Sequence, residues 1–573
     1  MKKKRRETYS PYSPVFPNIE DWPIYKLSQD RRNFVQDLAG FTFKKLLKQN
    51  GPRIADVIAK TIYLERIRIK EEPWKVDPPN ERQFWKKLQD RLVKRSLDKT
   101  EEEAIKVNEE LLGKIIQRYA EEIVGTFKKK TFLFAQRFLY LFFTRLLNTA
   151  AGRNFKRIYG RKHRLIDRLI VEGEVEAIRS LMQKGTVVVV PTHFSNLDSI
   201  LIGYALDAFA GLPSFSYGAG LNLYNTGYTA YFMNRLGAYR VDRRKKNAIY
   251  LETLKAMSNL SLQRGVNSLF FPGGTRSRSG ELETKVKLGL LGTVVEAQRA
   301  ILEKGDERKI FVVPLVLSYH FVLEGQFLIE QHLRQIGKEH YIRVKDKFKS
   351  SRSIFKFIWQ LFSTGNSITI SIGKPMDVMG NLVDNEGNSS DQFGNPIAIK
   401  DYFSRQGELV ADLQRESEYT KMLGDRIVDR FHKDNIVLNS HLVAFAAFQI
   451  IKNQNTHLDL YGILRLPTDD YIFNPKLLKE VLTQLIKILM AMEERGDIKL
   501  SEAIHGDLEE WLKDGVKRLG NFHVVKPLRL NKRGEIVSDS FKLLYFYHNR
   551  MASYHLEKQI DWKKVSLEEI LEV

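Results

Sequence analysis

The run Thr-Val-Val-Val-Val at residues 186–190 constrains this chain more than any other stretch. A strand with one face in water alternates apolar and polar side chains, whereas a strand that is apolar throughout is buried on both faces. Such a strand needs helices on either side, so a helix-covered α/β sheet is predicted. Further β-branched runs follow at residues 267–271, 310–317 and 367–372. Between them, NAIYLETLKAMSNLSLQRG and KLGLLGTVVEAQRAILEKG carry apolar residues at helical spacing. This alternation predicts a βαβ-built domain over residues 166–405.

The flanks read differently. Residues 1–165 form a mostly helical region, in which TEEEAIKVNEELLGKIIQRYAEEIVGTF puts Leu111, Leu112, Ile115, Ile116, Tyr119 and Ile123 on one face. Residues 406–573 read as a C-terminal helical domain, with PKLLKEVLTQLIKILMAMEERGDI as its clearest amphipathic helix, stopping at Gly496. Between core and C-terminal domain, MGNLVDNEGNSSDQFGNPI (residues 379–397) reads as one polar turn or hairpin, and no internal repeat is expected. The predicted fold class is α/β, a helix-covered mixed sheet flanked by N- and C-terminal helical regions.

The chain has no cysteine, which removes thiol nucleophiles, Cys-containing zinc sites and disulfides. Lys plus Arg number 92 against 69 Asp plus Glu, a formal net charge of +23. That balance suits nucleic acid, an anionic membrane surface or anionic substrates. No nucleic-acid partner is expected, since no binding signature appears and the aromatic residues are not interleaved with basic ones for base stacking. The start, MKKKRRETYS, has no apolar run behind it and does not read as a secretory signal. No window reaches the roughly 18 unbroken apolar residues of a membrane span. The nearest, TFLFAQRFLYLFFTRLLNTA at residues 131–150, is broken by Gln136, Arg137 and Arg145. Lys128, Lys129 and Lys130 precede it, and Arg153, Lys156 and Arg157 follow. It reads either as a helix lying in a membrane interface or as a buried helix between domains.

Two stretches carry candidate chemistry. The first, Pro191-Thr-His-Phe-Ser-Asn-Leu-Asp198, follows the first buried strand, where α/β folds place their sites. A carboxylate beside an imidazole can orient it and stabilise its protonated form. The plainer alternative is a His at a helix start with an Asp in the first turn. The second, Phe270-Phe-Pro-Gly-Gly-Thr-Arg-Ser-Arg-Ser-Gly280, presents Arg276 and Arg278 after a Gly-Gly turn and reads as an anion cradle or a basic surface turn. It matches neither a Walker loop nor G-x-G-x-x-G. Arg235-Leu-Gly-Ala-Tyr-Arg-Val-Asp-Arg-Arg244 adds an arginine cluster. Val312-Val-Pro-Leu-Val-Leu-Ser-Tyr319 reads as a core strand interrupted by Pro314, a residue that would otherwise argue against a central position.

In their order, His193-x4-Asp198, Gly237-Ala-Tyr-Arg-Val-Asp-Arg243, Phe271-Pro-Gly-Gly-Thr-Arg-Ser277 and Val313-Pro314 resemble the four blocks of the glycerophospholipid acyltransferase superfamily. Ala219-Gly-Leu-Asn-Leu, the segment from Pro314 to Glu324 with Tyr319, and the C-terminal LLYFYHNRMASYHLE resemble its glycerol-3-phosphate acyltransferase branch. The superfamily resemblance spans roughly residues 165–375. It implies transfer of a fatty acyl group from acyl-CoA or acyl-carrier protein to the sn-1 hydroxyl of glycerol-3-phosphate, with no cofactor and no metal. His193 would be the general base and Asp198 its orienting partner. Arg276 and Arg278 would bind the acceptor phosphate, with Lys287 and Arg243 as further cations. Gly273, Gly274, Thr275, Ser277 and Pro314 would shape the loops, and Gly274 would let the backbone approach the phosphate. The implied setting is a phospholipid membrane surface, as a peripheral or monotopic protein on the cytoplasmic face.

The pattern departs in two places. Gly273 stands where the third block usually has Glu, and the second block ends Val-Asp-Arg, nearer the lysophosphatidate branch. Lysophosphatidate and dihydroxyacetone phosphate therefore stay open as acceptors, and an inactive basic membrane-binding scaffold is the non-enzyme alternative.

Overall fold

A computed structural model describes residues 11–74, 77–95, 100–150, 169–224, 227–336, 368–468, 471–521 and 523–565. The valine run lies in β2 (Gly185–Pro191), whose residues from Thr186 to Pro191 are all buried. β2 is the fourth strand of a seven-stranded sheet of order β1-β7-β6-β2-β5-β3-β4. The others are β1 (Leu169–Gly173), β3 (Ser216–Gly220), β4 (Ala238–Val241), β5 (Ser268–Leu269), β6 (Lys309–Tyr319) and β7 (Ile368–Ile372). β2 runs parallel to β5 and β6, while β7 is antiparallel to β6, so the sheet is mixed. Residue 367 of the predicted last strand lies outside the described residues.

β6 is a central strand, as expected of this run despite Pro314. The proline, paired in register with Val190, sits where β6 changes partners on its other edge. Leu315 to Tyr319 pair with β7, whereas Val312 bridges Met376, so the missing N–H falls at the break. The Pro314 carbonyl still accepts from Gly373 N at 2.8 Å.

The N-terminal helices are α1 (Pro23–Gln29), α2 (Arg31–Asn50), α3 (Ile54–Glu71), α4 (Glu81–Arg95), α5 (Glu101–Ile123) and α6 (Lys129–Ala150). The predicted face of α5 is its buried face, and Leu111, Leu112, Ile115, Ile116, Tyr119 and Ile123 are each 0% exposed. They form a second core with residues of the helix at Ala248–Gln263. Arg244 ties this bundle to the sheet domain, pairing with Asp77 at 2.5 Å and Asp242 at 2.7 Å.

In α6, Phe134 is 57% and Phe138 50% exposed, and Phe134 stacks on Phe232. Phe132 packs on the core of the helical bundle and Leu139 on the core of the sheet, so the described half of the helix spans the two while Phe134 and Phe138 face outward. Gln136, which breaks the apolar run, anchors it by donating to Asp207 Oδ2 at 2.9 Å. The side chains of residues 140–150, and residues 153, 156 and 157, lie outside the described residues. Among the described residues no helix is long and apolar enough to cross a membrane.

The helices after residue 406, among them Leu413–Lys433, Asn439–Gln454, Pro475–Glu494 and Phe541–His548, share one continuous core with the sheet. The stretch at 379–397 differs from the single turn expected. Asp-x-x-Gly-Asn occurs three times, at Asp377, Asp384 and Asp391, and each copy makes the same turn. Each aspartate accepts backbone N–H bonds from two and four residues ahead, and each glycine has positive φ. The expectation of no internal repeat is thereby overturned; the repeats turn a small three-stranded antiparallel meander.

Candidate active site

His193 lies two residues past the end of β2, and Asp198 opens the helix Asp198–Ala208. His193 Nδ1 lies 2.8 Å from Asp198 Oδ2. The same oxygen accepts from Phe194 N at 2.7 Å and Ser195 N at 2.9 Å. Asp198 Oδ1 accepts from Tyr319 Oη at 2.6 Å, and Asp198 is 0% exposed. Four donors on one carboxylate fix it as an ionised acceptor, so Nδ1 carries the imidazole proton and Nε2 the lone pair. The plainer reading, an aspartate serving a helix start, is realised by the same side chain: it holds the turn and the base together. Phe271 stacks on the imidazole with centroids 4.1 Å apart, fixing the ring plane.

The arginine-rich loop lies against this turn. Ser277 N donates to the His193 carbonyl at 2.8 Å, and Ser277 Oγ donates to the Glu281 carbonyl. Arg276 pairs with Glu324 at 3.1 Å, and Glu324 also accepts from Ser195 Oγ and Asn196 N. Burial raises the Glu324 carboxyl, opposed chiefly by the Arg276 charge. Arg278 bonds Gln335 at 2.9 Å. Arg243, at the end of the second motif, is exposed, yet desolvation by its neighbours and then repulsion from Arg276 and Arg278 push its guanidinium below its ordinary range. Positive charges close enough to repel one another in this way can together hold an anion.

Gly274 has φ +74°, a conformation L side chains rarely adopt, and Lys287 fills the space beside it. A Cβ there would lie 2.8 Å from Lys287 Nζ, so the glycine brings an ammonium over the loop rather than leaving bare backbone. Gly273 is covered by Glu283, while Thr275 is exposed. Pro314 stays in the sheet and reaches the site only through β2. The other predicted residues converge around the His193 turn and the arginine loop. Among the described residues no group of three or more His, Asp or Glu is placed to hold a metal ion.

Two groups at the site escaped the sequence reading. Glu283 Oε1 accepts the backbone N–H of His193 at 2.9 Å. Arg550, from the C-terminal segment, is buried behind the site over the Phe194 ring and donates to the Leu317 carbonyl and Asn435. Burial pushes its guanidinium down to about 10, partly offset by Tyr554 and Glu283. Nothing in local periodicity marks either residue.

Residues 172–318 match the Acyltransferase family model. A glycerol-3-phosphate acyltransferase of Shewanella loihica is 25% identical over 75% of this chain and 49% of its own length. A probable mitochondrial glycerol-3-phosphate acyltransferase of Caenorhabditis elegans is 34% identical over 29% of this chain and 24% of its own. The chain spans about half the length, or less, of these curated relatives. The crystal structure of the 1-acyl-sn-glycerophosphate acyltransferase PlsC from Thermotoga maritima aligns at TM-score 0.24 and 15% identity, covering 52% of this chain and 91% of that one, too loosely to carry an argument. The segment that matches the Acyltransferase family model thus carries the His193–Asp198 pair and the arginine loop, and over and beyond it the chain is similar to glycerol-3-phosphate acyltransferases.

Proposed function

We propose that the chain transfers a fatty acyl group from a thioester, acyl-CoA or acyl-carrier protein, to the sn-1 hydroxyl of glycerol-3-phosphate. The observation that carries this reading is the His193–Asp198 pair, with Nε2 left for a substrate and a cluster of cations beside it. In the reaction, His193 Nε2 takes the acceptor's hydroxyl proton as the oxygen attacks the thioester carbonyl. The tetrahedral intermediate collapses with cleavage of the C–S bond, and the imidazolium returns its proton to the leaving thiolate. Asp198 stabilises the imidazolium without itself being protonated. Arg243, Arg276, Arg278 and Lys287 hold the phosphate, fixing the hydroxyl's distance from the base. No cofactor is required, because the thioester supplies the activated acyl group.

Glycerol-3-phosphate is preferred over lysophosphatidate or dihydroxyacetone phosphate because the curated relatives carry that name. The setting is a membrane surface, on its cytoplasmic face, met by exposed Phe134 and Phe138 beside Lys128, Lys129 and Lys130. The test is labelled acyl transfer in liposomes with each acceptor and each donor, beside His193→Ala. Product from glycerol-3-phosphate that disappears with His193→Ala supports the reading. Product from lysophosphatidate alone moves the activity to the other acceptor. No product from any acceptor, with liposome binding intact, refutes it in favour of a scaffold.

A further inference from the structure

Position 273 is a glycine that its backbone does not require. Gly274 has positive φ, but Gly273 does not, so an L side chain fits the main chain at 273. What crowds one is Glu283. A Cβ on Gly273 would lie 3.1 Å from Glu283 Cγ and 3.3 Å from Glu283 Oε1, tighter than ordinary van der Waals contact. A side chain at 273 would therefore press on the Glu283 side chain, its carboxylate included.

That carboxylate is tied to the base. Oε1 accepts from His193 N, on the main chain of the imidazole itself. Oε2 is shut off from solvent and has no hydrogen-bond partner by geometry among the described residues. A shielded carboxylate oxygen without a donor opposes folding, so its presence asks for a reason beyond packing. The loop that delivers it is pinned at both ends: Ser277 N bonds the His193 carbonyl and Lys287 N bonds the Pro272 carbonyl, each at 2.8 Å. Glu283 thus faces the main chain of His193 just as Asp198 faces its ring.

We propose that Glu283 is a positioning residue that, from further along the same loop, holds His193 through its backbone amide. This rests on the acyltransferase reading. A side chain at 273 would have to move that of Glu283 by a few tenths of an ångström, and so would disturb its hold on His193.

The test removes that carboxylate or crowds it. Turnover and thermal midpoint are measured for the full chain, Glu283→Ala, Glu283→Gln, Gly273→Glu, and the double variant Gly273→Glu/Glu283→Gly. Glu283→Ala is expected to lose about tenfold or more in kcat with the KM for acceptor nearly unchanged, as for a displaced base. Glu283→Gln keeps an oxygen for the His193 amide and stays within about threefold of the full chain. Gly273→Glu alone lowers both turnover and midpoint, and the double variant restores the midpoint. Unchanged turnover in Glu283→Ala, or a double variant with no higher midpoint than Gly273→Glu, overturns the proposal. A full chain without turnover on any acceptor overturns the acyltransferase reading instead, and the midpoints then decide this one. Equal loss of midpoint from Gly273→Glu with or without the Glu283 side chain overturns it; loss only with that side chain present sustains it.

Discussion

Asp198→Asn removes one charge from the base's partner while leaving its shape. The carboxylate meets three donors on Oδ2 and one on Oδ1. An amide has a single acceptor oxygen, which must face the three; its NH2 then meets the Tyr319 hydroxyl, which has to turn and accept. The geometry survives, but each bond changes from charge-assisted to neutral, roughly halving its strength. The larger effect falls on the reaction. With the imidazolium 2.8 Å from the carboxylate oxygen, the pair attraction is about 6 kcal/mol at an effective dielectric of ~20. The proton is only partly transferred in the transition state, so about half of that is lost, ~3 kcal/mol. This corresponds to a drop in kcat of about 10²-fold, with KM for the acceptor little changed. If the amide instead settles with its NH2 toward Nδ1, the imidazole proton moves to Nε2 and the loss grows, so the figure is a lower bound. The assay is steady-state acyl transfer beside circular dichroism of both proteins. A folded Asp198→Asn enzyme that keeps more than a tenth of its kcat would refute the claim that this pair is the working base.

Three further outcomes are expected. Gly280 has φ +91°, and a Cβ there would collide with the Phe546 carbonyl oxygen; Gly280→Ala should therefore cost about 3 kcal/mol or more in denaturant unfolding and lose activity with it. Phe134→Asp/Phe138→Asp should weaken binding to anionic vesicles by about tenfold or more while soluble turnover stays, read by vesicle sedimentation. Burial depresses His320 to about 3 and His548 to about 4, so below the unfolded value of 6.5 the unfolded chain binds protons that the folded chain refuses. Stability is then fully present above pH 6.5 and falls toward pH 4 by about 1.4 kcal/mol per pH unit for each histidine; His548→Gln should flatten that slope in denaturation across pH 7 to 5.

How much of this was legible in the sequence follows from what each signal encodes. A strand buried on both faces announces itself by composition alone, and β2 is the predicted strand with one residue more at each end. The α5 stripe was legible for the same reason, since helical spacing of apolar residues is a statement about which side is wet. The apolar run around Pro314 made β6 legible as a core strand, but why the proline is tolerated was not, since its cost depends on whether its neighbour offers an acceptor at that position, and register is not local information. Helix α6 could not be placed, since an aromatic face packed on protein and one left exposed have the same spacing. Glu283 and Arg550 were invisible because each is defined by what lies opposite it across the fold. The Asp-x-x-Gly-Asn repeat, by contrast, was legible and overlooked: composition alone, without the fixed interval, reads as a generic loop.

The C-terminal wall of the site has a consequence for how the protein is made. Asn549 donates to the Ser279 carbonyl across a separation of 270 residues, and Arg550 lies over Phe194. A nascent chain that has already released the whole matched acyltransferase segment still lacks the groups that back its His193 turn. Until residue 550 has left the ribosome, the valine-rich sheet and the Phe194 face have no lining on that side, and chaperones have an apolar surface to bind. Competence therefore arrives late and all at once. Premature stops well past the last motif are expected to yield aggregating fragments rather than enzymes with reduced activity.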